Sequence, residues 1–217
     1  MKFEKPIIHS HPDRSQPEYT SHELRNMEVI EQILVSGTDE EMHMLCTFHN
    51  IDREHCEQAR YFSRMRDTLI KQSRDGYLQR MKDGPAPDIE ERSAGLYREM
   101  IEEPARNAVF MMRQKGYPTY ASGFIGFDGG QHIAIDKPLF PPLKEDVQRI
   151  LEQRYAITFQ NTSTRIQFIP QHRLSVQDIM AIYDAIAEAL PDLGEPAPDV
   201  KRPYWSQGHF AKKKKPT

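Results

Sequence analysis

The chain has 217 residues, enough for one large domain or two small ones. It is 38% hydrophobic and 28% charged, and its ten Phe, nine Tyr and ten Met can fill a core, which excludes a wholly disordered chain. No apolar run approaches the roughly 18 residues that a membrane span needs, and the N-terminal stretch MKFEKPIIHSHPD lacks the apolar segment of a secretory signal. Two cysteines, Cys46 and Cys56, are too few for a disulfide framework, so the expected setting is reducing and cytoplasmic.

The charge is uneven. The whole chain carries 29 basic and 32 acidic side chains, a net of −3. Six of the basic and none of the acidic ones lie in the last 17 residues, which leaves 23 against 32 in residues 1–200, a net of −9. An acidic body therefore precedes a basic tail. Such tails attract nucleic acid, acidic membranes or the acidic face of a partner.

In chain order, residues 1–20 contain three prolines and read as an extended arm. Ser21 stands where an N-cap would open a helix of some 15 residues, with Leu24, Met27, Ile30, Ile33 and Leu34 on one face. Thr38 and Glu41 have capping-box spacing before a short helix. Asp52 caps a third, whose stripe runs through Ala59, Phe62, Met65 and Leu69 to Leu78 and Met81, with Gly76 a point of bending. Residues 21–82 thus read as a helical subdomain, and 83–88, with Gly84, Pro85 and Pro87, as a linker.

Residues 89–193 read as an α+β domain. One helix is expected over 89–115, with Pro104 marking a kink or a new start. Strands at 117–125 and 131–135 flank Gly126-Phe127-Asp128-Gly129-Gly130, a hairpin whose glycines supply positive φ. A helix over 143–155, strands at 156–160 and 164–169, and a helix capped by Ser175 complete the pattern. The order is helix, hairpin, helix, hairpin, helix. Lys115–Tyr120 resembles Arg154–Phe159, and Gln131–Ile135 resembles Arg165–Ile169. The expectation is a four-stranded, mostly antiparallel sheet with helices packed on it. Residues 194–217 form a Pro-containing basic tail.

Four segments carry candidate chemistry. His9-Ser10-His11-Pro12-Asp13 resembles the His-Ser-His-Pro signature of the MPN-type zinc metalloproteases, a family that includes deubiquitinases. The resemblance implies His9 and His11 as zinc ligands of a hydrolase. It covers five residues; the family's metal aspartate would fall at His22, next to Glu23, and Glu4 is only five residues upstream of His9. A second zinc candidate is Cys46, His49 and Cys56, where thiolates and an imidazole lie close in sequence; the bland alternative is two buried free thiols. The third is the Gly-rich hairpin 120–132, where glycines let a ligand approach the backbone and Ser122, Asp128 and His132 supply polar groups. The fourth is the tail, where Lys201, Arg202, Tyr204, Trp205, Lys212, Lys213, Lys214 and Lys215 combine cations with stacking rings.

The preferred expectation is a binding protein that contacts RNA, DNA or an acidic protein through this tail. The alternatives are an enzyme or small-ligand binder at 120–132, and a metal-dependent hydrolase using the His-Ser-His segment. The amphipathic N-terminal helices also allow an oligomer.

Overall fold

The computed structural model describes residues 19–83, 101–135 and 140–197. The fold is α+β, with an N-terminal helical region followed by a four-stranded antiparallel sheet and its helices. Two compact units are present, Met1–Cys56 and Glu57–Thr217. The stretch 84–88, expected as a linker, lies outside the described residues. Among the described residues no helix is long and apolar enough to cross a membrane.

In the first unit, Thr20 and Glu23 bond reciprocally. The Thr20 backbone N–H donates to Glu23 Oε2 (2.8 Å), and the Glu23 N–H donates to Thr20 Oγ1 (3.2 Å). This pair starts a 3-10 turn, Glu23–Arg25, that the periodicity had merged into one long helix from Ser21. Asn26 then leaves the helical region (φ −78°, ψ 122°), and its side chain accepts the Glu28 N–H (2.9 Å), so it, not Ser21, caps α1, Met27–Ser36. The helix α2, Asp39–His49, opens on the expected Thr38–Glu41 capping box and ends at Asn50 in the left-handed region (φ 52°). Leu24, Ile33, Leu34, Met42 and Leu45 are buried.

The helix α3, Arg53–Asp83, spans the boundary between the units and passes through Gly76 unbroken. Asp52 accepts the His55 N–H (2.9 Å), as an N-cap should. Its apolar stripe is buried at Phe62 and Leu69, whereas Leu78 is exposed.

In the second unit the described chain runs α4 (Glu103–Gln114), β1 (Thr119–Ile125), β2 (Gly130–Ile135), α5 (Glu145–Tyr155), β3 (Ile157–Phe159), β4 (Arg165–Pro170) and α6 (Val176–Ala189). The helix expected over 89–115 begins, in its described part, only at Glu103. Glu102 is extended (φ −55°, ψ 134°) and Pro104 stands in the first turn, where its missing N–H costs nothing. The sheet order is β1-β2-β4-β3, every pair antiparallel. The second strands of the two hairpins therefore meet at the centre. In β4 the buried residues alternate, Ile166, Phe168 and Pro170, and the register sets Ile133 opposite Ile166 and Gln131 opposite Phe168. Ile133, Ile166 and Phe168 join one core with Phe62, Met112, Leu151, Ile179 and Ile182. The helices α4 and α6 pack together where Ala105, Ala108 and Ala187 are fully buried.

The end of α4 also holds the end of α6. Lys115 Nζ donates to the carbonyls of Ala187 (2.8 Å), Glu188 (2.9 Å) and Leu190 (2.8 Å). A cation thus satisfies acceptors that a helix C-terminus leaves open. The segment beyond is clasped as well: Leu193 N–H donates to Lys115 O (2.9 Å), Ala197 N–H to Arg113 O (2.8 Å), and Tyr117 OH to Pro191 O (3.0 Å). Lys115→Met keeps the aliphatic stem and removes all three bonds of the ammonium. Chemical denaturation should show a loss of about 2 kcal/mol. A change below about 0.5 kcal/mol would mean that water serves those carbonyls as well as the ammonium does.

Candidate functional site

The hairpin of β1 and β2 sits on a buried polar cluster. Gly123, within β1, has φ +110°, and a Cβ there would overlap the Glu102 carboxylate. The missing side chain is what lets Glu102 in. Its Oε2 accepts the Phe124 N–H (3.0 Å), and the residue is only 5% exposed. Burial pushes the carboxyl up to about 7, against the pull of the Phe124 N–H and the Arg66 charge. Tyr183 of α6 closes the cluster. Its hydroxyl lies 3.2 Å from Gln131 Oε1, 3.1 Å from His132 O and 3.5 Å from Gly123 O. Burial, and then the Glu102 charge, hold the phenol well above its ordinary value, so it stays a donor. Gln131, fully buried, donates to Gly129 O (3.2 Å). Every buried polar group in this set has a partner, as a stable interior requires.

The three hairpin candidates have separate tasks. Asp128 Oδ1 accepts the Gly130 N–H (3.0 Å) and fixes the turn. His132 Nδ1 lies 3.1 Å from Gly123 O, a contact that requires the proton on Nδ1 and leaves Nε2 as an acceptor in the neutral ring. Burial, with the Arg165 charge, lowers its pKa. Ser122 stands opposite Ile133, one position out of step with the Gly123–His132 pair. None of the three bonds to another. Gly126 and Gly129 do supply positive φ in the turn, as the sequence predicts (74° and 82°), and a Cβ at Gly129 would overlap the Phe62 ring.

The cysteine expectation is corrected. Cys46 and Cys56 are joined as a disulfide, with Cα atoms 6.2 Å apart, inside the usual range for such bonds. Neither is a free thiol or a thiolate for zinc, and His49 Nε2 lies 2.8 Å from Leu24 O. Among the described residues no group of three or more His, Cys, Asp or Glu side chains could hold a metal ion. His9 and His11, and the tail residues Lys201, Arg202, Tyr204, Trp205, Lys212, Lys213, Lys214 and Lys215, lie outside the described residues.

A site that the sequence reading missed lies along α3. Glu57, Arg60, Tyr61, Arg64, Met65 and Thr68 recur at three- and four-residue steps and so share one helix face. They border an open groove of about 520 Å³ whose other side holds Glu103, at the start of α4, and Arg173, Val176 and Gln177, at the start of α6. Tyr61 anchors it: its hydroxyl donates to Leu174 O (2.9 Å), and the Arg173 guanidinium lies over its ring at 5.5 Å. Arg173 also approaches Glu57 Oε2 at 3.9 Å. Three guanidinium groups thus edge one groove of a chain whose first 200 residues are acidic overall. The local signal was Arg60-x-x-x-Arg64, which shares a face; Arg173 joins it only through the tertiary fold. A second groove of about 530 Å³, between α5 and α6, is lined by Val147, Ile150, Leu151, Tyr155, Ala181 and Ala185 among others.

No protein family matches the chain, and neither a curated protein nor a solved structure is detectably similar to it.

The Glu102 environment has a measurable consequence. A carboxyl whose folded pKa is about 7 against an ordinary 4.5 favours the folded state while protonated. Its contribution is complete below pH 4.5, falls as pH rises and is lost above about 7. The span corresponds to about 3 kcal/mol. Glu102→Gln keeps an acceptor for Phe124 N–H and cannot ionise. Stability measured from pH 4.5 to 8 should therefore fall more steeply in the wild type than in this variant, with His132 titrating in both. Parallel profiles would refute the assignment. Gly123→Ala should lower the unfolding midpoint at every pH, because the overlap with Glu102 does not titrate.

Proposed function

We propose that the protein acts by binding a single-stranded nucleic acid through its phosphate backbone, with the α3 groove as one contact surface and the basic C-terminal sequence as an electrostatic contribution. The observation that carries this reading is the alignment of Arg60, Arg64 and Arg173 along one groove beside Tyr61. Guanidinium groups match phosphate oxygens in paired N–H contacts, and an aromatic ring with an arginine over it is a surface on which a base can stack. The six cations of the last 17 residues add electrostatic affinity for phosphate. The acidic remainder restricts the contact to these two places, which suits a strand better than a broad duplex face.

Fluorescence anisotropy with single-stranded RNA and DNA tests this. The expected result is binding at tens of micromolar or tighter that weakens as salt rises. Arg60→Glu with Arg64→Glu should weaken it at least about tenfold, with the thermal midpoint as the folding control. Deleting residues 201–217 should reduce the salt slope by up to about 4, from roughly 0.7 per lost phosphate contact on a single strand. Absence of salt-sensitive binding overturns the proposal. Tighter binding to poly-glutamate than to RNA overturns it in favour of an acidic protein partner.

A further inference from the structure

From the Cys46–Cys56 bridge we infer that the N-terminal unit is an oxidation-dependent module: its helices are held in place by the disulfide, and two-electron reduction releases them. This does not rest on the nucleic-acid reading, because no residue of the α3 groove lies in that unit.

Three observations carry it. First, the bridge joins the last turn of α2 to the first turn of α3, across ten positions of sequence that include the left-handed Asn50 and the capping Asp52. It therefore fixes the path by which one helix leaves and the next begins. Second, the described part of the unit, 19–56, is short. Its buried apolar side chains are Leu24, Ile33, Leu34, Met42 and Leu45, to which the two sulfurs add the remaining enclosed mass. Units of this size seldom bury enough surface to order themselves, and a covalent link is the common remedy. Third, both half-cystines are enclosed, at 9% and 4% exposure, so the bridge is packed among the side chains it holds together.

The chemistry is thiol–disulfide exchange. In oxidation, one Cys thiolate attacks a disulfide of the oxidant and expels its first thiolate. The second Cys then attacks the mixed disulfide, and its second thiolate leaves. The protein loses two electrons and two protons, and the oxidant, a small-molecule or protein disulfide, gains them as two thiols. Reduction by a dithiol is the reverse. In a reducing compartment the unit would therefore depend on the poise of the local thiol pool, and in an oxidising one it would stay closed.

The test uses the full chain equilibrated in oxidised and reduced glutathione buffers, then denatured and alkylated. At an oxidising ratio, neither cysteine should take the label; both should take it after dithiothreitol. Hydrogen exchange is followed by mass spectrometry in the two states. Reduction should speed exchange of amides in α1 and α2 by about a hundredfold, while β2, β4 and α6 keep their rates. Cys46→Ser with Cys56→Ser should match the reduced state. Should that variant fail to accumulate, the reduced wild type alone decides. Labelling of both cysteines at an oxidising ratio overturns the inference, and so does unchanged exchange of α1 and α2 on reduction.

Discussion

A carboxylate occupies the place of a side chain that β1 does not have. Gly123 takes a conformation that few other residues adopt without strain, and the Glu102 carboxylate fills the space its Cβ would need. That single accommodation links four elements. Glu102 stands immediately before α4 and holds Phe124 of β1. The Gly123 carbonyl accepts the His132 ring of β2, and Tyr183 of α6 comes down on the same carbonyl and on the backbone of His132. The second unit thus has a polar knot beside its apolar core. Such a knot costs desolvation, and it holds because each member finds a partner that the others position. Asp128 and His132 are engaged within the hairpin itself, with the Gly130 N–H and the Gly123 carbonyl.

Much of the fold was legible because its signals are local. The Ser175–Asp178 and Thr38–Glu41 boxes, the hairpin glycines and the period-two burial of Ile166 and Phe168 each lie within a few residues of what they determine. The errors have the same origin. Ser21 looked like a cap because the apolar spacing continues across Asn26, and spacing says nothing about which side chain captures the free N–H first. Gly76 looked like a place where the helix would be interrupted or bent; the helix runs on through it, since a glycine inside a long helix costs only about 1 kcal/mol. The disulfide was invisible to counting, since two cysteines ten positions apart can be bonded, free or metal-bound with equal ease of spelling. The groove was half visible. Arg60 and Arg64 share a face by arithmetic, whereas Arg173 reaches them only because α6 begins beside α3.

The charge of the chain is best understood by place. A net of −9 over residues 1–200 would repel a strand approaching at random. Three arginines on one groove create a local exception, and Glu57 and Glu103 on the same groove limit its width. A phosphate chain passing between those carboxylates would be held in a narrow track. The last 17 residues, with six cations and no acids, have the opposite sign from that acidic body.

The two units also differ in what makes them persist. The second has a continuous core from Phe62 to Leu190 and a cation-capped helix end, so its order follows from burial and hydrogen bonding. The first has a handful of buried apolar side chains and one covalent link. A core responds to temperature and denaturant, whereas a disulfide responds in addition to electrons. Because α3 crosses the boundary, Cys56 stands on the same helix that, one turn later, carries Arg60 and Tyr61.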